Sequence, residues 1–365
     1  MQSTNPDNFF HTTASLEDSR RKAGKSGNKN GSPIKLPSKI LAIAADPFNT
    51  DSVFVAESSG VLRVVALETS ETTAIYRGPT APLTSLCFST DGRTVFAGCW
   101  DKSIWSWDVK TRKAGRKYVG HNDFVKAVLC PNTAGRNLLV SGGADADVLV
   151  WDISDGKILH VSQNHCRGIQ SLAQDPVVTD DSTSITVFSA GSDRTILCFR
   201  IPINAGSMTV AESILEHETS VYKLLFDEDG DLWTASADKT AKCLARENGW
   251  KSELSMEHPD FVRDVAVHEA GGWVVTACRD EETGELHHTY SGHFEEVTGL
   301  VLLGTKVVSV SIDATIRQWS LRPEDIRQAK LEASGAAAED EEPPRGQSML
   351  TADEERELDE LLNDD

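Results

Sequence analysis

The chain has 365 residues, 39% of them hydrophobic and 25% charged, the balance expected of one or two globular cores. No run approaches the roughly 18 apolar residues of a membrane-spanning helix, and the polar start lacks the apolar block of a secretory signal. The net charge of -20 is uneven, because residues 332–365 carry thirteen acids against Arg345 and Arg356, a net -11, leaving -9 on the other 331 residues. Such acidity repels phosphate backbones and argues against direct nucleic-acid binding. Seven scattered cysteines with no C-x-x-C pair argue against a zinc ribbon or a disulfide framework and fit a cytosolic or nuclear setting.

Residues 1–33 are rich in Ser, Asn, Gly and Lys and read as a disordered, solvated arm. Its basic group, Arg20-Arg21-Lys22 with Lys25 and Lys29, has the composition of a nuclear import signal, but a solvated, disordered arm is the preferred reading.

From residue 34 onward one pattern recurs. An apolar strand leads to Ser or Thr; an Asp follows four residues later, and an aromatic or large apolar residue six after that. The sets are Ser141/Asp145/Trp151, Ser189/Asp193/Phe199, Thr234/Asp238/Leu244 and Ser309/Asp313/Trp319, with Ala97/Asp101/Trp107 lacking the hydroxyl. Thr276/Asp280 begins the pattern without finishing it, and a degenerate copy surrounds Ser59. A histidine precedes most copies, at His121, His165, His217, His258 and His293. Turn positions 59, 101, 145, 193, 238, 280 and 313 lie 42, 44, 48, 45, 42 and 33 residues apart. All but the last interval suit a four-stranded unit.

These residues, with Trp107-Asp108 and Trp151-Asp152, resemble the WD40-repeat family over residues 34–321. The resemblance implies an all-β, seven-bladed propeller with a disordered N-terminal arm and an acidic, partly helical tail over residues 322–365. Each histidine is expected to bridge the turn Asp to the hydroxyl, which in turn meets the Trp indole. Two complete tetrads follow: His121, Ser141, Asp145, Trp151 and His293, Ser309, Asp313, Trp319. Their Ser, His and Asp are also the ingredients of a hydrolase triad, but the set recurs at unit spacing and no G-x-S-x-G elbow exists. An enzyme using the propeller cavity is therefore the disfavoured alternative. No P-loop or dinucleotide fingerprint appears, so no cofactor is expected. His287, His288 and His293 read as strand and network residues, not a metal site.

The last unit lacks a fourth strand, because Pro323 ends its pattern, and Ile34-Lys35-Leu36 is expected to supply it and close the ring. The 33-residue interval marks the sixth unit as short by about seven residues, most of a third strand. Either that blade is natively three-stranded or a short piece of chain has been lost, and the second reading is preferred.

In the tail, Pro323 opens a helix expected to reach Ala333. An acidic linker then leads to a capping box, Thr351 and Glu354, on a helix striped by Leu350, Leu358, Leu361 and Leu362. That stripe suits a partner groove, with a frayed solubilising tail as the plain alternative. A fold-back of the acidic tail onto a basic mouth is the rival of independent docking.

The resemblance implies a non-enzymatic interaction scaffold that binds proteins or peptides on the top face as part of a multiprotein complex, without membrane contact. The family's contact positions fall on Trp100 and Arg279, before the turn Asp, and on Lys126, Gln170, Tyr222, Arg263 and Thr298, in the opening strands. Their basic and aromatic character suits an acidic or phosphorylated peptide. A second reading is a substrate receptor of a cullin-4-type ubiquitin ligase. Val307–Asp313 through Trp319-Ser320-Leu321-Arg322 resembles that family's adaptor-binding box, with Ser320 in place of Asp, and Trp107-Asp108-Val109-Lys110 is a weaker copy.

Overall fold

The computed structural model describes residues 27–133, 136–177, 183–204, 206–278, 288–329 and 331. It divides into two units, residues 1–321 and 322–365. In the smaller unit residues 323–329 are helical. The rest of the expected tail, including Leu350, Leu358, Leu361 and Leu362, lies outside the described residues, as do Arg20-Arg21-Lys22 and Lys25 of the arm.

The larger unit is all β. Strand β1 (Ile34–Lys35) opens it. Repeat unit 1 follows with β2 (Ile40–Asp46), β3 (Asn49–Glu57), β4 (Leu62–Ala66) and β5 (Thr72–Tyr76), and unit 2 with β6 (Leu83–Phe88), β7 (Thr94–Cys99), β8 (Ser103–Asp108) and β9 (Tyr118–Val119). Unit 3 comprises β10 (Val125–Leu129), β11 (Leu138–Gly143), β12 (Val148–Asp152) and β13 (Ile158–Ser162), and unit 4 β14 (Ile169–Gln174), β15 (Ser184–Gly191), β16 (Ile196–Pro202) and β17 (Thr209–Ile214). Unit 5 comprises β18 (Val221–Phe226), β19 (Leu232–Ser236), β20 (Thr240–Ala245) and β21 (Lys251–Glu257), and unit 6 β22 (Val262–His268) and β23 (Trp273–Cys278). Unit 7 has β24 (Val297–Leu303), β25 (Lys306–Ser311) and β26 (Thr315–Ser320).

Each sheet is an antiparallel meander, and β1 adds to the outer edge of β26 through Ile34↔Ile316 and Lys35↔Thr315. The two ends of the propeller chain therefore share one sheet, the closure expected from Ile34-Lys35-Leu36. The blade count needs correction. The described residues form six four-stranded blades, not seven, and unit 6 contributes a sheet of only two strands. The physical reason is the short sixth interval; residues 279–287, where its outer chain would lie, are outside the described residues.

The strands follow from burial on both faces. Second strands such as β11 (Leu-Leu-Val-Ser-Gly-Gly) are buried along their whole length, because each sheet is covered by a neighbour on either side. Seven apolar clusters, one per seam between adjacent units, make up the core of the described residues. The two seams flanking unit 6 hold six buried residues each, fewer than any other.

The turn between second and third strand is equally regular. The residue after the turn Asp is left-handed in every complete unit that has the Asp: Lys102, Ala146, Arg194, Lys239 and Ala314, with φ of 68, 67, 63, 69 and 63°. An L-residue there costs roughly 1–2 kcal/mol, and the Asp carboxylate offsets it by accepting the N–H two residues on, as from Asp147 to Asp145 at 3.2 Å and from Thr315 to Asp313 at 2.8 Å.

Candidate functional site

Four histidines bring their expected partners together. His121 Nδ1 lies 3.0 Å from Asp145, its Nε2 lies 2.8 Å from Ser141 Oγ, and Trp151 Nε1 donates to the same oxygen at 2.8 Å. His293 repeats this with Asp313 at 3.0 Å and Ser309 at 2.8 Å, and Trp319 Nε1 donates to Ser309 at 2.8 Å. His165 joins Asp193 and Ser189 at 3.1 and 2.7 Å, and His217 joins Asp238 and Thr234 at 2.8 and 2.7 Å, with Phe199 and Leu244 replacing the indole. Burial pushes His121 and His165 below the ordinary imidazole value, against the pull of Asp145 and Asp193. Ser141 and Ser189 are fully buried, so these oxygens present no surface to a substrate. The geometry is that of a repeated structural network.

Where the tetrad is broken, other groups take its place. In unit 2, with Ala97 at the hydroxyl position, Trp107 Nε1 donates to the Arg77 carbonyl at 3.0 Å. Asp101 instead receives Trp105 Nε1 and Lys117 Nζ, each at 2.9 Å, and its carboxyl falls to about 2 as these and the Ser103 hydroxyl outweigh burial. In unit 1 the fully buried Glu57 pairs with Arg63 and accepts from the Ser38 and Ser59 hydroxyls. Sequence reading saw only a degenerate copy around Ser59. The signal that was available was an acid and an arginine, Glu57 and Arg63, flanking the turn.

The candidate contact residues share one backbone device. Every opening strand carries a register shift just after its first residue, so one residue per unit bulges: Leu41, Thr84, Lys126, Gln170, Tyr222, Arg263 and Thr298. A bulge re-aims a side chain out of the ladder. These side chains have different fates. Arg263 lies over the Tyr222 ring, 4.0 Å from its centroid, and pairs with the Glu296 carboxylate. Burial lowers the Lys126 ammonium below its ordinary value; Asp123 opposes this and the charge of Arg263 adds to it. Gln170 Nε2 donates to Ser192 Oγ at 2.5 Å.

Thr298 is held differently. Its hydroxyl donates to the carbonyls of Ile40 at 3.0 Å and Val310 at 3.3 Å, tying unit 7 to unit 1, as Thr84 ties unit 2 to unit 3 through Val125. Trp100 is 45% exposed and stacks on Phe124, with centroids 4.9 Å apart and planes 12° from parallel. Phe124 was missed as a partner because it lies in the unit after Trp100. Arg279 lies outside the described residues, and so do Asp280 and His287.

The sequence matches the family of the tRNA methyltransferase TRM82 WD40 domain over residues 117–206 and the WD domain, G-beta repeat, over residues 70–108 and 284–320. It is 37% identical to an uncharacterised WD repeat-containing protein of Schizosaccharomyces pombe, over the whole length of both chains. The chain belongs to the WD-repeat family. Partial similarities include 37% identity to the small ribosomal subunit protein RACK1y of Oryza sativa, over 18% of this chain and 19% of that one. Subunit I of eukaryotic translation initiation factor 3 from Schizosaccharomyces pombe is 25% identical over 56% of this chain and 63% of its own.

Other candidate chemistry in this WD-repeat chain has structural occupants. Among the described residues Asp227, Asp231 and Cys243 bring three possible ligand atoms within 4.8 Å of one another. Asp227 already accepts from the Asp231 N–H and from Trp233 Nε1, both at 2.8 Å, Asp231 accepts from the Arg246 N–H at 2.9 Å, and burial pushes the Cys243 thiol up to about 11. None of the seven cysteines is in a disulfide, and Cys278 Sγ donates to the Asp260 carbonyl at 3.2 Å. His288 packs edge-on against Tyr290, and both ring nitrogens of His293 are used within its own unit. No helix among the described residues is long and apolar enough to cross a membrane. Arg322, the last residue of the adaptor-box resemblance, is exposed, while Gln318 is engaged by the Leu67 carbonyl at 2.9 Å.

Proposed function

We infer that this WD-repeat protein is a non-enzymatic scaffold whose bulged ring receives an acidic or phosphorylated segment of a protein partner. WD-repeat propellers generally act as interaction scaffolds and are often subunits of complexes. The observation that carries the finer reading is the group Lys126, Arg263 and Tyr222 on equivalent bulges, with the exposed Trp100–Phe124 stack on the turns. Aromatic and arginine side chains dominate binding hot spots. Because Arg263 already holds Glu296, the ligand's acid has to replace that carboxylate, which favours a doubly charged phosphate or several acids in a row.

Thr298, bonded between two units, is left to hold the ring. Leu350, Leu358, Leu361 and Leu362 are proposed to dock a second partner. Partial relatives named for the small ribosomal subunit and a translation initiation factor make such assemblies the first place to look for partners. The test is affinity purification with mass spectrometry of the intact chain and of Lys126→Ala/Arg263→Ala. A partner captured by the first and lost by the second, at equal melting temperature, supports the reading. Identical partner sets would refute it.

A further inference from the structure

We propose that Cys87 and Cys130 are an oxidation site at which a peroxide closes a reversible disulfide between units 2 and 3.

The two sulfurs already meet across the seam. Cys87 Sγ and Cys130 Sγ lie 3.4 Å apart, one thiol hydrogen-bonded to the other sulfur. They come from the opening strands of adjacent units, Cys87 within β6 and Cys130 directly after β10. Both strands are held in register. Cys87 stands opposite Phe96 in its own sheet, and the Thr84 hydroxyl of the same strand donates to the Val125 carbonyl that opens β10. A disulfide has its sulfurs about 2 Å apart, so closure brings these two nearer by about 1.4 Å.

Packing alone does not require sulfur here. Counted from the bulge of each opening strand, Cys87 stands three residues on, and Cys130 four residues on in the next unit. The same two positions hold Ala44 and Phe88 between units 1 and 2, Ala173 and Phe226 between units 4 and 5, and Leu225 and Val267 between units 5 and 6. Those seams close on hydrocarbon, whereas this one brings two thiols together. Other thiols in the protein are spent on the backbone: Cys99 donates to the Ala81 carbonyl at 3.5 Å, as Cys278 does to that of Asp260. Among the described residues Cys87 and Cys130 bond only to each other.

Their surroundings divide the roles. Burial, with the neighbouring Cys87 adding to it, pushes the Cys130 thiol well above its ordinary value, so Cys130 keeps its proton and donates it to Cys87. Cys87, half-buried, is the sulfur left to attack. As a thiolate it takes one oxygen of hydrogen peroxide: the S–O bond forms, the O–O bond breaks, and the departing hydroxide leaves as water with the proton that Cys87 gave up. Cys87 is oxidised by two electrons to a sulfenic acid, and the peroxide is reduced. The Cys130 sulfur then attacks Cys87 Sγ. The S–S bond forms, the S–O bond breaks, and the hydroxyl group takes the Cys130 proton and leaves as a second water. Two thiols and one peroxide thus give one disulfide and two waters, and a thiol reductant reverses the bond by exchange. The disulfide joins residues 43 positions apart, constraining the unfolded chain as well as the seam, so the oxidised form is the more stable one.

Peptide mapping tests this on the full chain carrying Cys166→Ser, which removes the exposed thiol. The reduced protein is treated with hydrogen peroxide, alkylated and digested. The expected product is a peptide pair linked through Cys87 and Cys130, lost on treatment with dithiothreitol, and a melting midpoint at least about 2 °C higher in the oxidised protein. In the further variant Cys130→Ala, Cys87 should stop at the sulfenic acid, trapped by dimedone, with no rise in midpoint. Recovery of both cysteines as free thiols overturns the proposal, and so does their separate oxidation to sulfinic acids. An equal yield of the link from protein unfolded in urea also overturns it, because the bond would then owe nothing to the seam.

Discussion

His121, His165, His217 and His293 each make the same two bonds, to a turn Asp and to a strand hydroxyl, and the consequences can be measured singly. Asp145 accepts from His121, from the Asn122 N–H at 2.7 Å and from the Asp147 N–H at 3.2 Å. Asp145→Ala leaves the buried donors of His121 and Asp147 without their acceptor and is expected to cost about 1–3 kcal/mol. Ser59→Ala removes a 3.2 Å bond to Glu57 and a 3.0 Å bond with Ser38 Oγ, both at an exposed position, and should cost well under that. Thermal melts of the two variants compare them, and equal midpoints would mean the networks contribute nothing. The histidines also set a pH dependence. Burial lowers His121, His165 and His258 below 6.5, so the unfolded chain binds protons that the folded one refuses. Their contribution is present above pH 6.5 and lost as pH falls below it. Asp101 and Asp152, held near 2, add a second loss below about pH 4. The melting midpoint should be flat from pH 7 to 8 and fall between pH 6.5 and 5; a rise on acidification would mean the imidazoles are held charged. The four networks were legible in the sequence because they repeat. Glu57 was not, because it sits two residues before the expected position and acts through Arg63, and the pairing of Arg263 with Glu296 joins units 6 and 7, which spacing within a unit does not reveal.

At the scale of elements, strand order could be read from the repeat period, and ring closure from the family resemblance together with the missing fourth strand after Trp319. The number of complete blades could not, because unit 6 begins with the same strand, Thr276 and Asp280 as its neighbours and only then runs short. The interval of 33 residues showed where the ring is deficient without showing that two strands is all the described chain supplies. Insertion of a seven-residue third strand after Asp280 is therefore the informative change. It should raise the melting midpoint by covering β23 and engaging Thr276 and His258. A lower midpoint on insertion would mean that the short unit is adapted as it stands.

For the whole molecule, the proposed scaffold has a mouth built from one bulged residue per unit, on a ring whose two chain ends are joined by β1 on β26. The tail is a separate unit of the chain, and its leucines are proposed to dock a partner of their own. A protein ending at Ala333 should accordingly keep the mouth's peptide affinity at both low and high salt; tighter binding at low salt on truncation would instead favour self-capping by the acidic tail. The most direct measurement is fluorescence anisotropy with a labelled array of acidic and phosphoserine peptides, titrated with the intact protein and with Lys126→Glu/Arg263→Glu. The account predicts binding of at least one acidic or phosphorylated peptide, weakened by salt and lost in the charge-reversed variant at unchanged melting temperature. Binding that survives the reversal, or confinement of binding to basic and neutral peptides, would contradict it.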